Sequence, residues 1–470
     1  MKNFKLNEQQ KEIYDFIENN DTCVFIQGQA GTGKSSFITY FCENTKKKVC
    51  VVAPTGTAAL NVNGTTIHKL FRLAPLNFFD ISTTKIKKVS TPEDADHWIS
   101  PAHLALLKSI DTMIIDEISM VRPDIFDVMD RVLKTIRNNN EPYGGVQVVG
   151  IGDVYQLPSV IKSEVRDLFF KEYGLRNPHF FDSHSFKKAH FKKFEFTEVY
   201  RQQDPKLLEH LMNLRVGKKV KAAVDYFNDQ KDLNEKDFEN AIILTTRRDR
   251  ADEINQAKLN EINSSPRHFL ALCKGSFANT NETPSPKDLV LKLNAHVVFT
   301  KNDTLEKEEF EERMENNIYE PYESKWVNGT TGIVTGFSGD TIVVKLNHNG
   351  REVLVKPVTW EMYEQVLTKE KVKDEKTGKI TTVEKIEHRV SGEFIQFPLQ
   401  LGYAMTIHKA QGKTLEKVIV DPGEGMFTTG QAYVGLSRTS FRNDLYLKSP
   451  LSESDIKVDK AVIKFLNSKS

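Results

Sequence analysis

Residues 28–35 read Gly28-Gln29-Ala30-Gly31-Thr32-Gly33-Lys34-Ser35, which fits the pattern G-x-x-x-x-G-K-[ST]. The apolar run Cys23–Gln27 precedes this segment, and Ser35–Cys42 follows it with helical spacing. In such a strand–loop–helix setting the glycines let successive backbone N–H groups point into one concavity, which holds a phosphate. Lys34 would reach the β- and γ-phosphate oxygens, and the Ser35 hydroxyl would bind Mg²⁺. The segment therefore predicts a site for ATP and Mg²⁺. The residues expected against the nucleotide are Gly28, Ala30, Gly31, Thr32, Gly33, Lys34, Ser35 and Ser36.

Apolar, β-branched runs alternate with helical stretches on both sides of the chain's middle. In the first third these runs are Val49–Ala53, Thr112–Ile115 and Val146–Ile151. The pattern returns with helical stretches between Asp204 and Asn228, a helix from Asp249, and strands at Ala241–Leu244, Lys417–Val420 and Leu445–Leu447. Continuous apolar strands separated by helices predict parallel sheets that are covered on both faces, the α/β class.

The region from Asn328 to Ile395 differs from the rest of the chain in its residue pattern. It is rich in β-branched residues and turn dipeptides such as Asn328-Gly329, and short alternating strands lie at Thr341–Leu346 and Arg351–Val355. These features predict a small antiparallel, barrel-like module inserted into the second α/β domain. The charged stretch Asp303–Ser324 before it is expected to be a solvated helix and connector.

Composition excludes several classes of protein. With 470 residues, 39% hydrophobic and 27% charged, and a mean hydropathy of −0.44, the chain is neither disordered nor fibrous. No apolar run approaches the roughly 20 residues of a membrane span, and the polar N-terminus predicts no signal peptide. The four cysteines are scattered without a C-x-x-C pair, which indicates a reducing, cytoplasmic compartment and neither a disulfide frame nor a zinc site.

Net charge is uninformative about nucleic acids, because 65 basic and 64 acidic residues nearly cancel. A groove needs only local positive charge. Basic clusters occur at residues 187–193, 215–221 and 247–250, and acid gathers between Asp303 and Glu323. Any one cluster fits a solvated surface as well as a functional groove.

The run Met113-Ile114-Ile115-Asp116-Glu117 is an apolar strand that ends in two acids. Alone it also fits a capped turn. After a phosphate loop it predicts a hydrolytic site, because Asp116 would hold Mg²⁺ through water and Glu117 would orient and deprotonate the attacking water.

Three further side chains complete the predicted catalytic set. Gln156, in the segment 152–158, would bond the γ-phosphate or the water, although a plain polar loop is an equal interpretation. Arg201 and Arg438 both lie in the second α/β half, and an arginine from a facing domain neutralises charge on the transferring phosphoryl group. Any single arginine is more often a surface residue, so the assignment rests on the order of all these motifs along the chain. The predicted catalytic residues are Lys34, Glu117, Gln156, Arg201 and Arg438.

This series of motifs resembles superfamily-one helicases of group B, and specifically the Pif (petite integration frequency) family with its RecD relatives. The resemblance spans the chain from Leu6 to about Thr439. Leu6-Asn7-Glu8-Gln9-Gln10 resembles the family's adenine-recognising motif, which makes Gln10 the adenine reader. The other matching segments are residues 53–59, 64–68, 126–130 with 142–147, 405–414 and the sixth motif around Arg438.

The resemblance implies two RecA-like domains and an SH3-like insertion. The implied boundaries are residues 1–190 for the first RecA-like domain (1A), with a small wedge segment (1B) at about 64–100. The second domain (2A) would comprise residues 191–300 and 396–470, and the SH3-like subdomain (2B) residues 301–395. ATP would bind between the two RecA-like domains.

Small donors beside glycines suit a grip on DNA phosphates that reads no bases. The residues expected to bind single-stranded DNA are Pro54, Thr55, Gly56, Thr57, Thr65, His68, Phe71, Thr406, His408 and Lys409. Phe71 would stack on a base, or else occupy a core position on a short helix. The segment Pro75–Phe79 lies where related helicases place a strand-separating wedge; two exposed aromatics there would fit that use, and a core loop is the alternative.

The resemblance further implies an ATP-dependent 5′→3′ DNA helicase that acts on single strands, single-/double-strand junctions, G-quadruplexes and RNA–DNA hybrids. Roles in DNA repair, recombination and telomere maintenance belong to the same expectation, as do a monomer in solution that pairs on DNA and, in a bacterium, a place at the nucleoid. A single-strand translocase that strips proteins but hardly unwinds stays open. So does a nucleotide-gated DNA-binding module, against which the full hydrolytic set argues, and an RNA-directed motor is a weaker variant.

Overall fold

The computed structural model describes residues 5–73, 78–79, 101–231, 233–278, 280, 283–303, 325–373 and 380–468. Within these residues no helix has the length and apolar character needed to cross a membrane. The predicted connector at residues 304–324 lies outside the described residues, as does most of the wedge segment.

The α-helices of the described residues are α1 Glu8–Asn19, α2 Lys34–Asn44, α3 Gly56–Asn61, α4 Ile67–Leu70, α5 Pro101–Ser109, α6 Pro123–Arg137, α7 Arg166–Tyr173, α8 His184–Ala189, α9 Pro205–Val216, α10 Val220–Asn228, α11 Arg248–Glu261, α12 Ile407–Ala410, α13 Gln431–Leu436 and α14 Lys460–Asn467. The strands are β1 Val24–Gly28, β2 Val49–Ala53, β3 Thr65–Thr66, β4 Thr112–Ile115, β5 Gln147–Gly152, β6 Lys192–Phe196, β7 Ile242–Thr245, β8 Arg267–Leu270, β9 Leu272–Gly275, β10 Asp288–Leu291, β11 His296–Phe299, β12 Thr331–Ser338, β13 Thr341–Leu346, β14 Glu352–Val355, β15 Val358–Lys373, β16 Ile380–Gln396, β17 Leu399–Leu401, β18 Ala404–Thr406, β19 Val418–Asp421 and β20 Leu445–Leu447.

The first sheet is parallel throughout and has the strand order β3-β2-β4-β5-β1-β6. Alternate residues of its strands enter two separate cores. Val24 and Ile26 of β1 pack with α1 and α2 on one face, while Phe25 packs with α5, α6 and α8 on the other. The expected parallel sheet with two covered faces is confirmed, and β1 delivers its carboxyl end to the phosphate-loop sequence.

The second sheet is also parallel, with the order β18-β7-β19-β20. Leu207, Leu211 and Leu214 recur at helical spacing on α9 and share a core with Ile242 and Val420 of the sheet. The α/β class with two parallel sheets is therefore correct.

A five-stranded antiparallel sheet lies between β7 and β18 in sequence, with the order β14-β13-β12-β11-β17. Its core contains Trp326, Val334 and Val344. Strand β13 has the predicted bounds, but the sheet also takes in β11 and β17, which lie outside residues 301–395.

The strands β15 and β16 form a long antiparallel ribbon with β9 that the sequence did not predict. The ribbon reaches the first sheet, where Gln365 donates from Nε2 to the carbonyl of Val51 at 3.3 Å and accepts from the Cys50 thiol. Ile386 joins the core of the first domain. The inserted region is thus attached to both sheets.

The C-terminal helix α14 returns to the first sheet, although residues 396–470 were predicted to belong with the second. Phe465 stacks on Phe181 with ring centroids 4.2 Å apart, and Lys193 donates to the carbonyl of Phe465 at 2.5 Å. Just before the helix, Asp459 accepts from His179 Nε2 at 2.8 Å. Helix α14 therefore connects the second domain to the first, because Phe465 packs into the core of the first domain.

Candidate active site

The loop that follows β1 depends on its glycines. Gly31 and Gly33 have φ values of 80° and 79°, in the left-handed region that side chains rarely adopt. A Cβ atom at Gly31 would lie 2.4 Å from the Cβ of Arg201, and one at Gly28 would lie 2.9 Å from the Thr32 hydroxyl. The loop is packed too closely for other residues, and α2 begins directly after it at Lys34.

The carboxyl ends of the two parallel sheets face each other across an open cleft. It is lined by Ala30, Gly31, Thr32, Gly33, Lys34, Ser35, Ser36, Glu117, Gln156, Arg201, Gly412 and Arg438. All five predicted catalytic residues therefore meet in one cavity. Of the predicted nucleotide and metal residues, Gly28, Gln10 and Asp116 are not part of its lining.

Lys34 lies over the loop that precedes it. Its ammonium donates to the carbonyl of Gly28 at 2.9 Å and to that of Gln29 at 3.0 Å. Burial lowers the pKa of Lys34, while the negative charges of Glu117, Asp153 and Asp116 oppose that shift. An anionic phosphate chain in the cleft would add compensating charge to this lysine.

Asp116 is 4% exposed at the end of β4 and accepts from the backbone N–H of Glu117 at 2.9 Å. Burial, and then the charge of Glu117, raise the pKa of Asp116 to about 7. A buried carboxylate in this condition fits a cation site, because a nearby cation favours the charged form. Mg²⁺ usually needs only one or two protein oxygens beside substrate phosphates, so Asp116 and the Ser35 hydroxyl are a suitable donor set.

Glu117 has a φ of 49°, which turns its side chain from the strand end into the cleft. Its Oε2 accepts from Gln411 Nε2 at 3.2 Å, and Gln411 follows α12 beside the second sheet. The acid is therefore held from across the cleft by a residue that the predicted site set did not include.

Arg201 is attached to the phosphate loop, which corrects the expectation that it faces that loop from the second domain. The N–H of Tyr200 donates to the carbonyl of Gly31 at 2.8 Å, so the chain at Arg201 runs along the loop. Its Nη2 donates across the cleft to Gly412 at 3.2 Å, while its Nη1 is buried with no hydrogen-bond partner among the described residues. A buried guanidinium nitrogen with free bonding capacity beside a phosphate loop fits an oxyanion.

Arg438 is the cation that the second domain supplies. It is fully buried, and its guanidinium donates to the carbonyls of Val434, Ala410 and Lys413 and to the Ser437 hydroxyl, at 2.6, 3.1, 3.3 and 2.6 Å. Burial, and then the positive charge of Arg201, lower the pKa of Arg438 to about 9. At Lys34 and at both arginines, burial lowers the pKa more than the nearby carboxylates raise it, so a polyanion in the cleft would supply further compensating charge.

Gln156 is 4% exposed and donates from Nε2 to Asp153 at 3.3 Å. Asp153 also accepts from Gln27 at 2.7 Å and from Arg215 of α9 at 3.1 Å. Arg215 in turn lies over the ring of Tyr155, 4.4 Å from its centroid. Asp153 belongs to the motif 152–158, but its pairing with Arg215 could not be predicted from the sequence, because it depends on how the two sheets face each other.

Gln10 is 1% exposed and forms a capping box at the start of α1. Its N–H donates to Asn7 Oδ1 at 2.7 Å, and its Oε1 accepts from the N–H of Asn7 at 3.2 Å. The Nε2 atom lies against Gly33, 3.4 Å from where a Cβ would stand. Gln10 therefore borders the phosphate loop, and its role toward adenine stays a prediction.

The predicted DNA-binding residues fall at the carboxyl ends of β2, β3 and β18. Thr55 caps α3 by accepting from Ala58 N–H at 3.2 Å, with Pro54, Gly56 and Thr57 beside it. Thr65 is 2% exposed in β3, with a buried hydroxyl that has no hydrogen-bond partner among the described residues.

A repeated tetrapeptide links the two sheets. Thr-Ile-His-Lys occurs at residues 66–69 and again at 406–409. In each copy the threonine ends an edge strand and caps a four-residue helix, accepting from the lysine N–H at 3.2 Å. His68, His408 and Lys409 thus lie at equivalent positions on the two sheets, and the repeat itself is visible in the sequence.

At both aromatic positions the structure shows the core alternative and not base stacking or an exposed wedge. Phe71 is 3% exposed and belongs to the core of the first domain, so it cannot stack on a base. Phe79 is 4% exposed, and Phe78 packs edge-on against Phe169 with centroids 5.0 Å apart. The N–H of Phe79 donates to buried Asp124 at 2.9 Å, which anchors this part of the predicted wedge in a core.

Comparison with known proteins links this chain to one family of helicases. The family model for PIF1-like helicases matches residues 5–215. The ATP-dependent DNA helicase Pif1 of Bdellovibrio bacteriovorus is 28% identical over 455 residues, covering 94% of this chain and 88% of the relative.

Solved structures extend the match over the whole chain. Pif1 from Bacteroides sp in complex with ADP-AlF4 is 30% identical with a TM-score of 0.81, covering 99% of this chain and 97% of that one. Bacteroides Pif1 bound to single-stranded DNA is 31% identical with a TM-score of 0.64, covering 98% and 96%. With this identity over nearly the full length of both chains, the protein belongs to the Pif1 family of ATP-dependent DNA helicases.

Proposed function

We propose that this helicase moves 5′→3′ on single-stranded DNA, driven by ATP hydrolysis in the cleft between its two sheets. The convergence of Lys34, Glu117, Gln156, Arg201 and Arg438 on one cavity carries the proposal. A site that only sensed nucleotide would have no use for a carboxylate and two arginines placed together.

Each residue has a role that follows from its position. Lys34 and the loop N–H groups would hold the phosphates, and Mg²⁺, held by Ser35 and Asp116, would supply positive charge to them. Glu117 would take the proton of the attacking water, and Gln156 would orient that water or bond the γ-phosphate. Arg201 and Arg438 would neutralise charge on the transferring group, an effect worth on the order of 10³–10⁵ in rate for such arginines.

We further propose that DNA crosses the carboxyl edges of both sheets, over the two Thr-Ile-His-Lys segments. Two similar DNA-binding sites, one on each sheet, would allow stepwise translocation along the strand if ATP binding and hydrolysis change the distance between them. The Bacteroides relative with bound single-stranded DNA supports this substrate. We extend the proposed substrates to forked junctions, G-quadruplexes and RNA–DNA hybrids. We further propose that the five-stranded sheet is the SH3-like subdomain.

The test uses two matched partial duplexes, one with a 5′ tail and one with a 3′ tail, and follows strand opening and ATP turnover in the same tubes. Opening only the 5′-tailed duplex, with turnover that depends on DNA, is the expected result. Turnover without opening either duplex would favour the protein-stripping translocase. Opening only the 3′-tailed duplex would refute the proposed direction.

A further inference from the structure

Residues 412–416, here called the coupling segment, contact the ATP cleft through their backbone. Arg201 donates to the carbonyl of Gly412 at 3.2 Å, and Arg438 donates to the next carbonyl, that of Lys413, at 3.3 Å. The N–H of Leu415 in turn donates to the carbonyl of Arg438 at 3.0 Å. Both arginines of the cleft therefore hold successive peptide groups of one short segment.

The opposite side of the coupling segment contacts the start of the inserted antiparallel sheet. The ammonium of Lys413 donates to Asn328 Oδ1 at 3.0 Å. Gly329 has a φ of 100°, and a Cβ there would lie 2.2 Å from the carbonyl oxygen of Thr414. No side chain fits at position 329, so the coupling segment and the start of the inserted region are in direct backbone contact at this point.

A second contact fixes the far end of the segment. Glu416 accepts from the Thr331 hydroxyl at 3.3 Å and pairs with His348 Nδ1 at 3.3 Å. Thr331 begins β12, and His348 lies in the turn after β13. The coupling segment is therefore bonded to two separate parts of the inserted sheet.

The Lys413–Asn328 contact joins a charged group to a neutral one. Burial, and then the charge of Lys409, lower the pKa of Lys413 to about 8, and within the described residues Lys413 forms no ion pair. Asn328 is itself fixed, because its N–H donates to Asn302 Oδ1 at 2.7 Å. A hydrogen bond from a charged donor to a neutral amide is stronger than one between two neutral groups. Such a contact is strong enough to bias the position of a module and weak enough to be rearranged.

We propose that the coupling segment transmits closure of the ATP cleft to the inserted sheet, with Lys413 as the positioning residue and Asn328 as its receiver. Movement of Arg201 or Arg438 toward a phosphate would shift the carbonyls of Gly412 and Lys413, and the lysine would carry that shift to Asn328. This inference rests on the proposed use of the cleft for ATP hydrolysis. It adds a route by which hydrolysis becomes mechanical work on the duplex.

The test compares Lys413→Met, Asn328→Ala and the double variant, with Asn328→Asp as the variant that keeps the accepting oxygen. The exposed Lys218→Met serves as the matched control. The measured quantity is ATP hydrolysed per base pair opened on the 5′-tailed duplex, with ATPase in the absence of DNA as the reference. We expect Lys413→Met and Asn328→Ala each to raise this ratio at least threefold. The double variant should raise the ratio no more than either single variant does. DNA-free ATPase should stay within twofold, and Asn328→Asp should behave as wild type.

Additive effects in the double variant, or an unchanged ratio, would overturn the proposal. It would also fail if Lys413→Met only weakened DNA binding while Asn328→Ala had no effect, because Lys413 would then be a phosphate contact. Hydrogen exchange of the amides in residues 325–346, with and without ADP–aluminium fluoride and without DNA, gives a second reading. We expect the nucleotide to change the exchange rates of these amides in wild type and not in Lys413→Met. Unchanged exchange rates in wild type would contradict the coupling. This reading stands even if wild type opens neither duplex, which would contradict the proposed function instead.

Discussion

Gln411 donates from Nε2 to Oε2 of Glu117 across the cleft at 3.2 Å. The acid is carried by the first sheet, with a left-handed backbone of φ 49°, and the amide by the second domain. Within the described residues the remaining oxygen of Gln411 is buried without a partner. The bond therefore aims the carboxylate that we assign as the base, and it depends on how the two domains face each other.

Gln411→Ala should lower kcat for ATP about tenfold, equivalent to ~1.4 kcal/mol, with little change in KM. The reason is that Glu117 would keep its chemistry and lose its orientation. Steady-state ATPase on saturating single-stranded DNA is the measurement, with the exposed Gln256→Ala as the control. A rise in KM at constant kcat would instead mean that Gln411 binds the nucleotide.

The two arginines should respond differently to truncation. Arg201→Ala is expected to lower kcat by about 10³-fold while the protein stays folded, because its Nη1 has no hydrogen-bond partner among the residues that the structure describes. Arg438→Ala should also lower thermal stability, since the four acceptors of the Arg438 guanidinium would lose their hydrogen-bond donor. ATPase rates together with calorimetric melting separate the two cases, and equal melting temperatures for both variants would be inconsistent with this account.

Helix α14 should stabilise the first domain rather than the second. Phe465→Ala removes a ring that stacks on Phe181 at 4.2 Å, and we expect a loss of about 3 kcal/mol in the free energy of unfolding. Denaturant unfolding monitors this loss, and the exposed Lys464→Ala on the same helix is the control. If both variants unfolded alike, helix α14 would not contribute to the core.

The inserted sheet should be sensitive to acid through His296. Burial lowers the pKa of His296 to about 4, and its side chain bonds to Asn347 at 2.8 Å. Between the unfolded value of about 6.5 and this folded value, the unfolded chain binds the proton and the folded chain does not. Stability contributed by this histidine is thus present above pH ~6.5 and is lost as the pH falls toward 4.

Melting temperatures from pH 7.5 to 5 for wild type and His296→Gln test this linkage. The variant should lose less stability over that range than wild type does. Parallel curves for wild type and His296→Gln would show that another group controls the acid response.

Local patterns in the sequence were sufficient for several strands of the sheets and for the phosphate loop, although not for the ribbon of β15 and β16. β13 and β20 have the predicted bounds, because alternation or a short apolar run between turns is a local property. Contacts between distant segments were not predictable in this way. Asp153 and Arg215 are 62 residues apart, and nothing in either segment indicates that the two sheets bring them together.

The errors in the DNA-binding set have a related cause. An aromatic beside a motif suits base stacking and core packing equally, and only the packing of α4 against the first sheet shows that Phe71 is buried. The role of α14 was missed for the same reason, since Phe465 fills a core formed by residues almost 300 positions earlier. Tertiary packing, rather than propensity, decides both cases.

In the proposed function Glu117 drives ATP hydrolysis in the cleft, and this hydrolysis powers unwinding. The most direct measurement is a rapid-quench assay of phosphate release and strand opening by wild type and Glu117→Gln, both preloaded on a 5′-tailed duplex. We expect the variant to bind ATP within about threefold of wild-type affinity, to hold DNA tightly, and to lose phosphate release by about 10³-fold together with all strand opening. Phosphate release at the wild-type rate by Glu117→Gln would contradict the account.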